Sequence, residues 1–387
     1  MIILKKNISF GELRRKISEA RKRKLNWFNR FMLWLNYIAI VALLCSYAAR
    51  FINPVSFWYL AFFGLAYPVV LLVNIFFILY WTAQLRIYSF LSLIFILLGL
   101  RSFFSYVQIT LVDTKPQKTD VKVMSYNSML FDLYNWSHNE KSREEIFGML
   151  EEESPDILCL QEFYTSENPK SFNNKDTLTK FLPTTNIHCE YTTTLRGWDH
   201  WGIATLTKYP IVRKGKLIFN TKTNNICIFT DVIIEKDTVR IYNMHLQSIQ
   251  FKKDDYKFVS DVVNNKETQE EIEHSKSILR RLKRGFLKRS YQSDLVAEHI
   301  SKCKYKIIVC GDFNDTPSSY TYSNIRGDMK DAFIEKGSGF EKTYNGKMPA
   351  FRIDYILHSK EIETVSYKRI KESTTDHFPV SAYLRLK

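Results

Sequence analysis

Asp312 and Asn314 stand two apart in GDFND (311–315), directly after the apolar run KIIVC (306–310). A strand that ends in a carboxylate and an amide can hold a cation, a water or a phosphate, although the same letters also build ordinary turns. The arrangement recurs along the chain. VKVMSYN ends at Asn127 and DILCLQE at Glu162. VRIYNMHL holds Asn243 and His245, two apart and therefore on one face of a strand. RIDYIL carries Asp354, and Asp376 with His377 precedes FPVSAYLRL. A single polar residue in a strand is usually satisfied locally. Six strand ends bearing carboxylate, amide or imidazole need partners, because unpaired buried charge is costly. A divalent cation is the simplest common partner for Glu162, Asp312 and Asp376. An oxygen-rich set without thiolates favours Mg²⁺ or Mn²⁺ over Zn²⁺.

From Lys115 onward, short apolar runs alternate with helical stretches. Residues 121–127, 156–162, 201–212, 226–235, 239–248, 306–314, 352–357 and 378–386 read as strands, with EKDT (235–238) as a hairpin turn. NEKSREEIFGMLEEE (139–153) reads as an amphipathic helix that Pro155 ends. Phe251 to Lys302 reads as a polar, mostly helical insertion. It bears Arg280, Arg281, Lys283, Arg284, Lys288 and Arg289, which suit a solvated face, a nucleic-acid backbone or anionic headgroups. The pattern over residues 115–387 predicts one α/β domain with two packed sheets. Asp315 is expected to cap the turn or helix that follows it. Cys159 and Cys310 lie inside apolar strands and read as small core residues, and the six cysteines form no CxxC pair.

Residues 1–112 have another character. They hold 13 Lys and Arg against 2 Asp and Glu, so most of the net charge of +15 belongs to them and says little about nucleic acid. Three apolar stretches, about 28–49, 57–81 and 87–107, predict a bundle of about three transmembrane helices, with Pro68 kinking the second and Arg101 near the end of the third. The stretches are too many and too long for a signal peptide. The basic residues before the first stretch place the N-terminus in the cytoplasm, and three crossings put the C-terminal domain on the extracytoplasmic side.

The ordered set SYN, LQE, TKYPI, NMHL, GDFND, RIDYIL and TDHFPV resembles the endonuclease/exonuclease/phosphatase superfamily of metal-dependent phosphoesterases over about Val121 to Leu386. The resemblance implies a four-layer α/β sandwich of two mixed sheets, which the apolar stretches of residues 1–112 precede as a membrane anchor. It implies Glu162 as the main metal ligand with Asn127 beside it and Asp376 assisting. It gives Asp312 the attacking water, and gives Asn314 that water or a phosphate oxygen. It sets His377 on the scissile phosphate with Asp354 fixing its tautomer, and His245 with Asn243 on the phosphate from the other side. The Asn243–His245 element resembles the deoxyribonuclease, sphingomyelinase and inositol-polyphosphate phosphatase branches. The expected activity is a membrane-anchored, metal-dependent phosphodiesterase, with nucleic acid as substrate first and a phospholipid or phosphoinositide headgroup second. RGWDHWG (196–202) is expected at the site rim, against a base or a lipid. A silent binding module on the same fold would be expected to lose Glu162, Asp312 or His377, and all three are present. A glycosidase reading leaves both histidines and the asparagines unexplained.

Overall fold

The computed structural model describes residues 24–110, 114–219, 223–249, 269–346, 351–371 and 374–387, with Gly11 and Arg15. Most of the N-terminal basic cluster and the first part of the expected insertion lie outside the described residues. The chain divides into two compact units, Met1–Phe103 and Phe104–Lys387.

In the N-terminal unit, helix Trp27–Ala48 begins where Asn26 Oδ1 accepts the backbone N–H of Asn29 at 2.8 Å. It exposes an apolar face that includes Phe31, Trp34, Ile38 and Val41. Polar contacts join the helices inside. Asn36 donates to Ser92 Oγ at 2.6 Å, Ser92 Oγ to Asn74 Oδ1 at 2.9 Å, and Trp81 Nε1 to Asn36 Oδ1 at 3.0 Å. Such bonds hold helices together where apolar surface alone gives little preference among partners. The expectation of three spanning helices is corrected. Among the described residues, only Trp27–Ala48 is long and apolar enough to cross a membrane alone. The second stretch is two helices, Tyr59–Leu65 and Tyr67–Ala83, bent by 68° where Pro68 removes a backbone donor. The third contains a helix of 10 residues, Ser89–Leu98, that stops at Gly99, and its last part belongs to the other unit.

The C-terminal unit contains strands β1 (Val107–Gln108), β2 (Val121–Asn127), β3 (Ile157–Ser166), β4 (Asn186–Leu195), β5 (Asp199–Thr207), β6 (Ile211–Leu217), β7 (Ile226–Ile234), β8 (Asp237–His245), β9 (Lys306–Asp312), β10 (Lys330–Asp331), β11 (Gly339–Phe340), β12 (Asp354–His358), β13 (Ile362–Arg369) and β14 (Val380–Leu386). One six-stranded sheet has the order β13-β14-β2-β3-β5-β4 and the other β10-β12-β9-β8-β7-β6. Both are mixed: β2 and β3 pair in parallel, as do β8 and β9, and their other neighbours pair antiparallel.

Period-two alternation explains the layers. Val121, Val123, Ile157, Cys159, Val239, Ile241, Ile308, Cys310 and Ile356 share the buried core between the sheets. Residues of opposite parity face outward. Met124, Leu158 and Leu160 pack on Ile146, Phe147 and Leu150 of helix Ser142–Glu153. Tyr242, Val309 and Leu357 pack near Val296 of the long helix Gln269–Ser301. The result is helix, sheet, sheet, helix.

The inward rows change chemistry along their length. Val121 and Val123 lead to Ser125 and Asn127, and Ile157 and Cys159 lead to Gln161. Val239 and Ile241 lead to Asn243 and His245, and Ile308 and Cys310 lead to Asp312. One end of the sandwich is therefore apolar and the other polar.

Candidate active site

Strand geometry gathers the polar residues. Asp312 pairs with His245 across β9 and β8, and with Asp354 across β9 and β12. Gly311 makes this approach possible. Its φ is +148°, and a Cβ there would stand 2.1 Å from Met244 O. Glu162 occupies a bulge in β3, where the pairing with β5 shifts between Leu160 and Phe163. It adopts φ +47°, an unusual conformation for a residue with a Cβ and one that turns it off the regular strand face. Asn314 has φ +53° immediately after β9.

Asp312 is the hub. Its Oδ2 accepts from Asn127 Nδ2 at 3.1 Å and Asn314 Nδ2 at 3.2 Å, and its Oδ1 accepts the backbone N–H of Asn314 at 2.8 Å. The Nε2 atoms of His245 and His377 each lie 3.7 Å from Oδ2. His377 Nδ1 donates to Asp354 Oδ2 at 3.0 Å, which leaves Nε2 toward Asp312. His377 arrives on the segment before β14, where Tyr344 bridges to it and the Tyr344 ring stands edge-on at 5.3 Å.

Charge distinguishes these groups. Burial, with Asp354 beside it, pushes the Asp312 carboxyl up to about 6 against the opposing pull of His377 and His245. Burial disfavours charge on His377, but Asp354 and Asp312 outweigh it and hold the imidazole well above its ordinary value. Burial lowers His245 despite Asp312. Near neutral pH one imidazole is charged and the other neutral.

Glu162, with a third of its side chain exposed (33%), lies 3.7 Å from His245 Nε2. Burial raises its carboxyl, and Asp376 raises it further against His377 and Asn127. Among the described residues, no Lys or Arg pairs with Glu162. Glu162 and Asp376 are neighbouring carboxylates, oxygen donors of the kind a hard divalent cation takes, and the Asn127 amide lies beside Glu162 with its Oδ1 accepting the Met129 N–H at 3.1 Å. Asp312, Asp354 and His377 form a second such group, with ligand-type atoms within 4.8 Å of one another. In that group Asp354 already accepts the His377 Nδ1 proton.

Above the strand ends lies a cleft of about 1070 Å³ lined by residues including Tyr134, Trp136, Glu162, Tyr344, Asp376 and His377. An adjoining hollow of about 410 Å³ shares Tyr134 and Glu162 and adds Thr192, Trp201, Asn225 and His245. Glu162 stands where the two meet. Of RGWDHWG, Arg196 and Gly197 form the positive-φ turn of the β4–β5 hairpin and Trp201 lines the hollow.

The structure thus brings together Asn127, Glu162, His245, Asp312, Asn314, Asp354, Asp376 and His377. Asn243 is set apart from the cleft. It is fully buried, accepts from Gln161 Nε2 at 2.7 Å, and donates to Ala204 O at 2.9 Å. Its position is that of a tie between the sheets, not of a direct phosphate contact. Gln161 was the missed partner. It stands one residue before Glu162 in LQE, and its inward parity with Cys159 was the available signal. Asp315 Oδ1 accepts the Thr316 N–H at 3.1 Å at the start of the following turn, as expected, but Asp315 does not cap the helix beyond it. The helix Tyr320–Arg326 is capped by Ser319 Oγ, which accepts from Tyr322 N at 3.1 Å, while Asp315 Oδ2 accepts from Arg289 Nε at 3.0 Å.

The sequence matches the Endonuclease/Exonuclease/phosphatase family over residues 124–377, and a domain of unknown function over residues 29–106. The chain belongs to the endonuclease/exonuclease/phosphatase family. Members of this family are hydrolases acting on phosphoester bonds and generally depend on a divalent metal. No curated protein matches the chain. Among solved structures, it is similar to an endonuclease/exonuclease/phosphatase family protein from Leptotrichia buccalis, at 17% identity over 69% of this chain and 100% of that one, with a TM-score of 0.46. It is similar to the catalytic domain of human nocturnin, at 17% identity over 69% of this chain and 94% of that one, with a TM-score of 0.49. It is also similar to a mannosyl-6-phosphatase from Bacteroides thetaiotaomicron, at 17% identity over 69% of this chain and 100% of that one, with a TM-score of 0.47.

Proposed function

We propose that the chain is a membrane-anchored phosphodiesterase that uses a divalent cation, Mg²⁺ or Mn²⁺, and acts on nucleic acid. The observation that carries this reading is the meeting of Asp312 with Asn127, Asn314, His245 and His377 at the polar end of the sandwich, beside Glu162. Glu162, with Asn127 and Asp376, would hold the cation, whose Lewis acidity would stabilise charge on the phosphate oxygens. Asp312, buried and held near neutral in its titration, orients the attacking water and takes its proton as the water oxygen bonds to phosphorus and the phosphorus–oxygen ester bond breaks. Asn314 holds that water or a phosphate oxygen. The His377 imidazolium, aimed by Asp354, donates a hydrogen bond to the phosphoryl group as its charge grows. His245 faces the phosphate from the hollow beyond Glu162.

Tyr134 and Trp136, both exposed on the cleft rim with ring centroids 5.0 Å apart, offer a stacking surface to a base. A second reading, a phospholipid headgroup as substrate, is favoured by helix Trp27–Ala48, whose apolar exposed face suits a bilayer. That helix also carries the proposed anchoring. In this topology the N-terminus is cytoplasmic; one crossing, by Trp27–Ala48 alone, would place the catalytic unit on the extracytoplasmic side, and two, with the bent pair as the second, would keep it cytoplasmic. The test is cleavage of plasmid DNA, RNA, sphingomyelin and phosphoinositide vesicles by the full chain in detergent, each with Mg²⁺ and with EDTA. Metal-dependent cleavage of DNA or RNA supports the first reading. Cleavage of a lipid alone replaces it with the second, and silence on all four contradicts both.

A further inference from the structure

Within the basic run of the inserted helix, Arg289 is the basic residue that is fully buried. Arg289 is 1% exposed. Its Nε donates to Asp315 Oδ2 at 3.0 Å and its Nη1 donates to Gln247 O at 2.9 Å. Asp315 is the residue after Asn314, and Gln247 is two after His245. One guanidinium therefore ties together the exits of β8 and β9, the two strands that deliver His245 and Asp312. A buried charge persists at such a place only when paired and hydrogen-bonded, and both conditions are met here.

Other contacts make the tie specific. Gln292, one turn further on, accepts the Gln247 N–H at 2.9 Å, so both backbone polar groups of Gln247 are held by the same helix. Gly285 lies one turn before Arg289, and a Cβ there would stand 3.1 Å from Arg289 Nη1. The two exits are also joined to each other. Leu246 N donates to Asp312 O at 3.0 Å, and Asn314 Nδ2 donates to Leu246 O at 3.0 Å. Tyr355 OH closes the far side by donating to Asp315 O at 2.8 Å. The planar fork of arginine spans a carboxylate and a carbonyl at once, which a lysine ammonium cannot reproduce with fixed geometry.

We propose that Arg289 is a positioning residue for catalysis: it fixes the exits of β8 and β9 and so the aim of His245, Asp312 and Asn314. This rests on the phosphoesterase reading of the site. Arg289 touches neither cleft nor substrate, so its loss acts on the aim of the reacting groups and not on binding. A displacement of about 1 Å at such groups costs about 10²-fold in rate.

The test uses the full chain in detergent with Arg289→Lys, Arg289→Met and Gly285→Ala, the last crowding the guanidinium without removing it. Arg385→Gln, which breaks the Asp120 pair at the other end of β2 and β14, is the control for lost stability. Two readouts are taken below the melting temperature of each variant: kcat and KM on the fastest-cleaved substrate of the four above, and amide exchange over residues 245–249 and 312–316 against 121–127. The expected result is a kcat lower by about 10- to 100-fold in Arg289→Lys, KM within about threefold, and faster exchange confined to the two exits. Arg385→Gln keeps its kcat. Unchanged exchange at the exits overturns the proposal whatever the activity. Faster exchange with unchanged kcat, or a loss confined to KM, overturns it as well. A wild-type chain silent on every substrate sinks the phosphoesterase reading, and exchange then decides separately whether Arg289 holds the two exits.

Discussion

Gln161 donates its side-chain amide to Asn243 Oδ1 at 2.7 Å, from one sheet of the sandwich to the other. The bond lies just beneath the cleft, one residue before Glu162 on β3 and two before His245 on β8. It sets the separation of the Glu162 carboxylate from the His245 imidazole that faces it. Replacing Gln161 by Leu leaves Asn243 Oδ1 buried without its partner. The expected cost is about 1–3 kcal/mol of stability. A double-mutant cycle with Asn243→Leu should show a coupling of about 0.5–3 kcal/mol in chemical denaturation, and additive effects would contradict the tie.

Glu162 carries the metal prediction. Mg²⁺ or Mn²⁺ should raise the melting temperature of the wild-type chain, corresponding to about 2.7 kcal/mol at a hundredfold excess over Kd. Glu162→Gln should lose most of that increase while its metal-free melting temperature holds or rises, since Asp376 then lacks a like-charged neighbour. An undiminished metal response in Glu162→Gln would move the cation to the Asp312, Asp354 and His377 group.

Asp354 and His377 should act as a unit. His377→Gln is expected to lower kcat by about 10²–10⁴-fold. Asp354→Asn leaves the ring in place but removes the charge that favours the imidazolium and puts an amide donor where one of the two acceptor oxygens faced Nδ1, so it should cost about 10²-fold or more. In the double variant the losses should fall well short of multiplying. Independent, multiplicative losses measured in steady-state kinetics would separate the two residues.

Glu335 gives a pH prediction away from the site. Burial raises its carboxyl, but His358, Lys330 and Thr364 outweigh that and bring it from 4.5 to about 2. A folded value below the unfolded one gives stability that is fully present above about 4.5 and is lost as the pH falls toward 2. Glu335→Gln should therefore flatten the acid limb of the melting curve between those values and lower stability most near neutrality. An acid limb as steep as in the wild type would show that other carboxylates dominate it. Asp120, lowered by its hydrogen bond with Arg385, acts with the same sign.

The central strands were legible because their inward rows are apolar and then turn polar at one end. VKVMSYN is β2 residue for residue, and β9 is KIIVCGD, two residues shorter than the expected 306–314. The edge strand NIHCEYTTTL was not, because one partner and solvent leave it half-buried and its alternation weak. The third apolar stretch misled for a related reason. Apolar content marks residues that avoid water but does not say whether a bilayer or a protein core receives them. Val107, past the helical part, pairs with Phe340 in the C-terminal unit. Asn243 and Arg289 were recognised as polar residues of interest, but their partners, Gln161 and Asp315, are set by the packing of sheet on sheet and helix on sheet. Parity places Gln161 on the inward row but does not name Asn243 as its partner, and no local pattern encodes the Arg289–Asp315 contact.

The most direct measurement is Mg²⁺-dependent phosphodiester cleavage by the full-length chain and by Asp312→Asn, side by side and on every substrate of the panel. Asn127, Asn314, His245 and His377 all meet at Asp312. At least one substrate should be cleaved by the wild type in the presence of metal, with the rate lower by about 10²–10⁴-fold in the variant and its melting temperature close to wild type or above it. Cleavage that survives in Asp312→Asn, or a wild type without activity on any substrate, would contradict the assignment of this cluster as a phosphoesterase site.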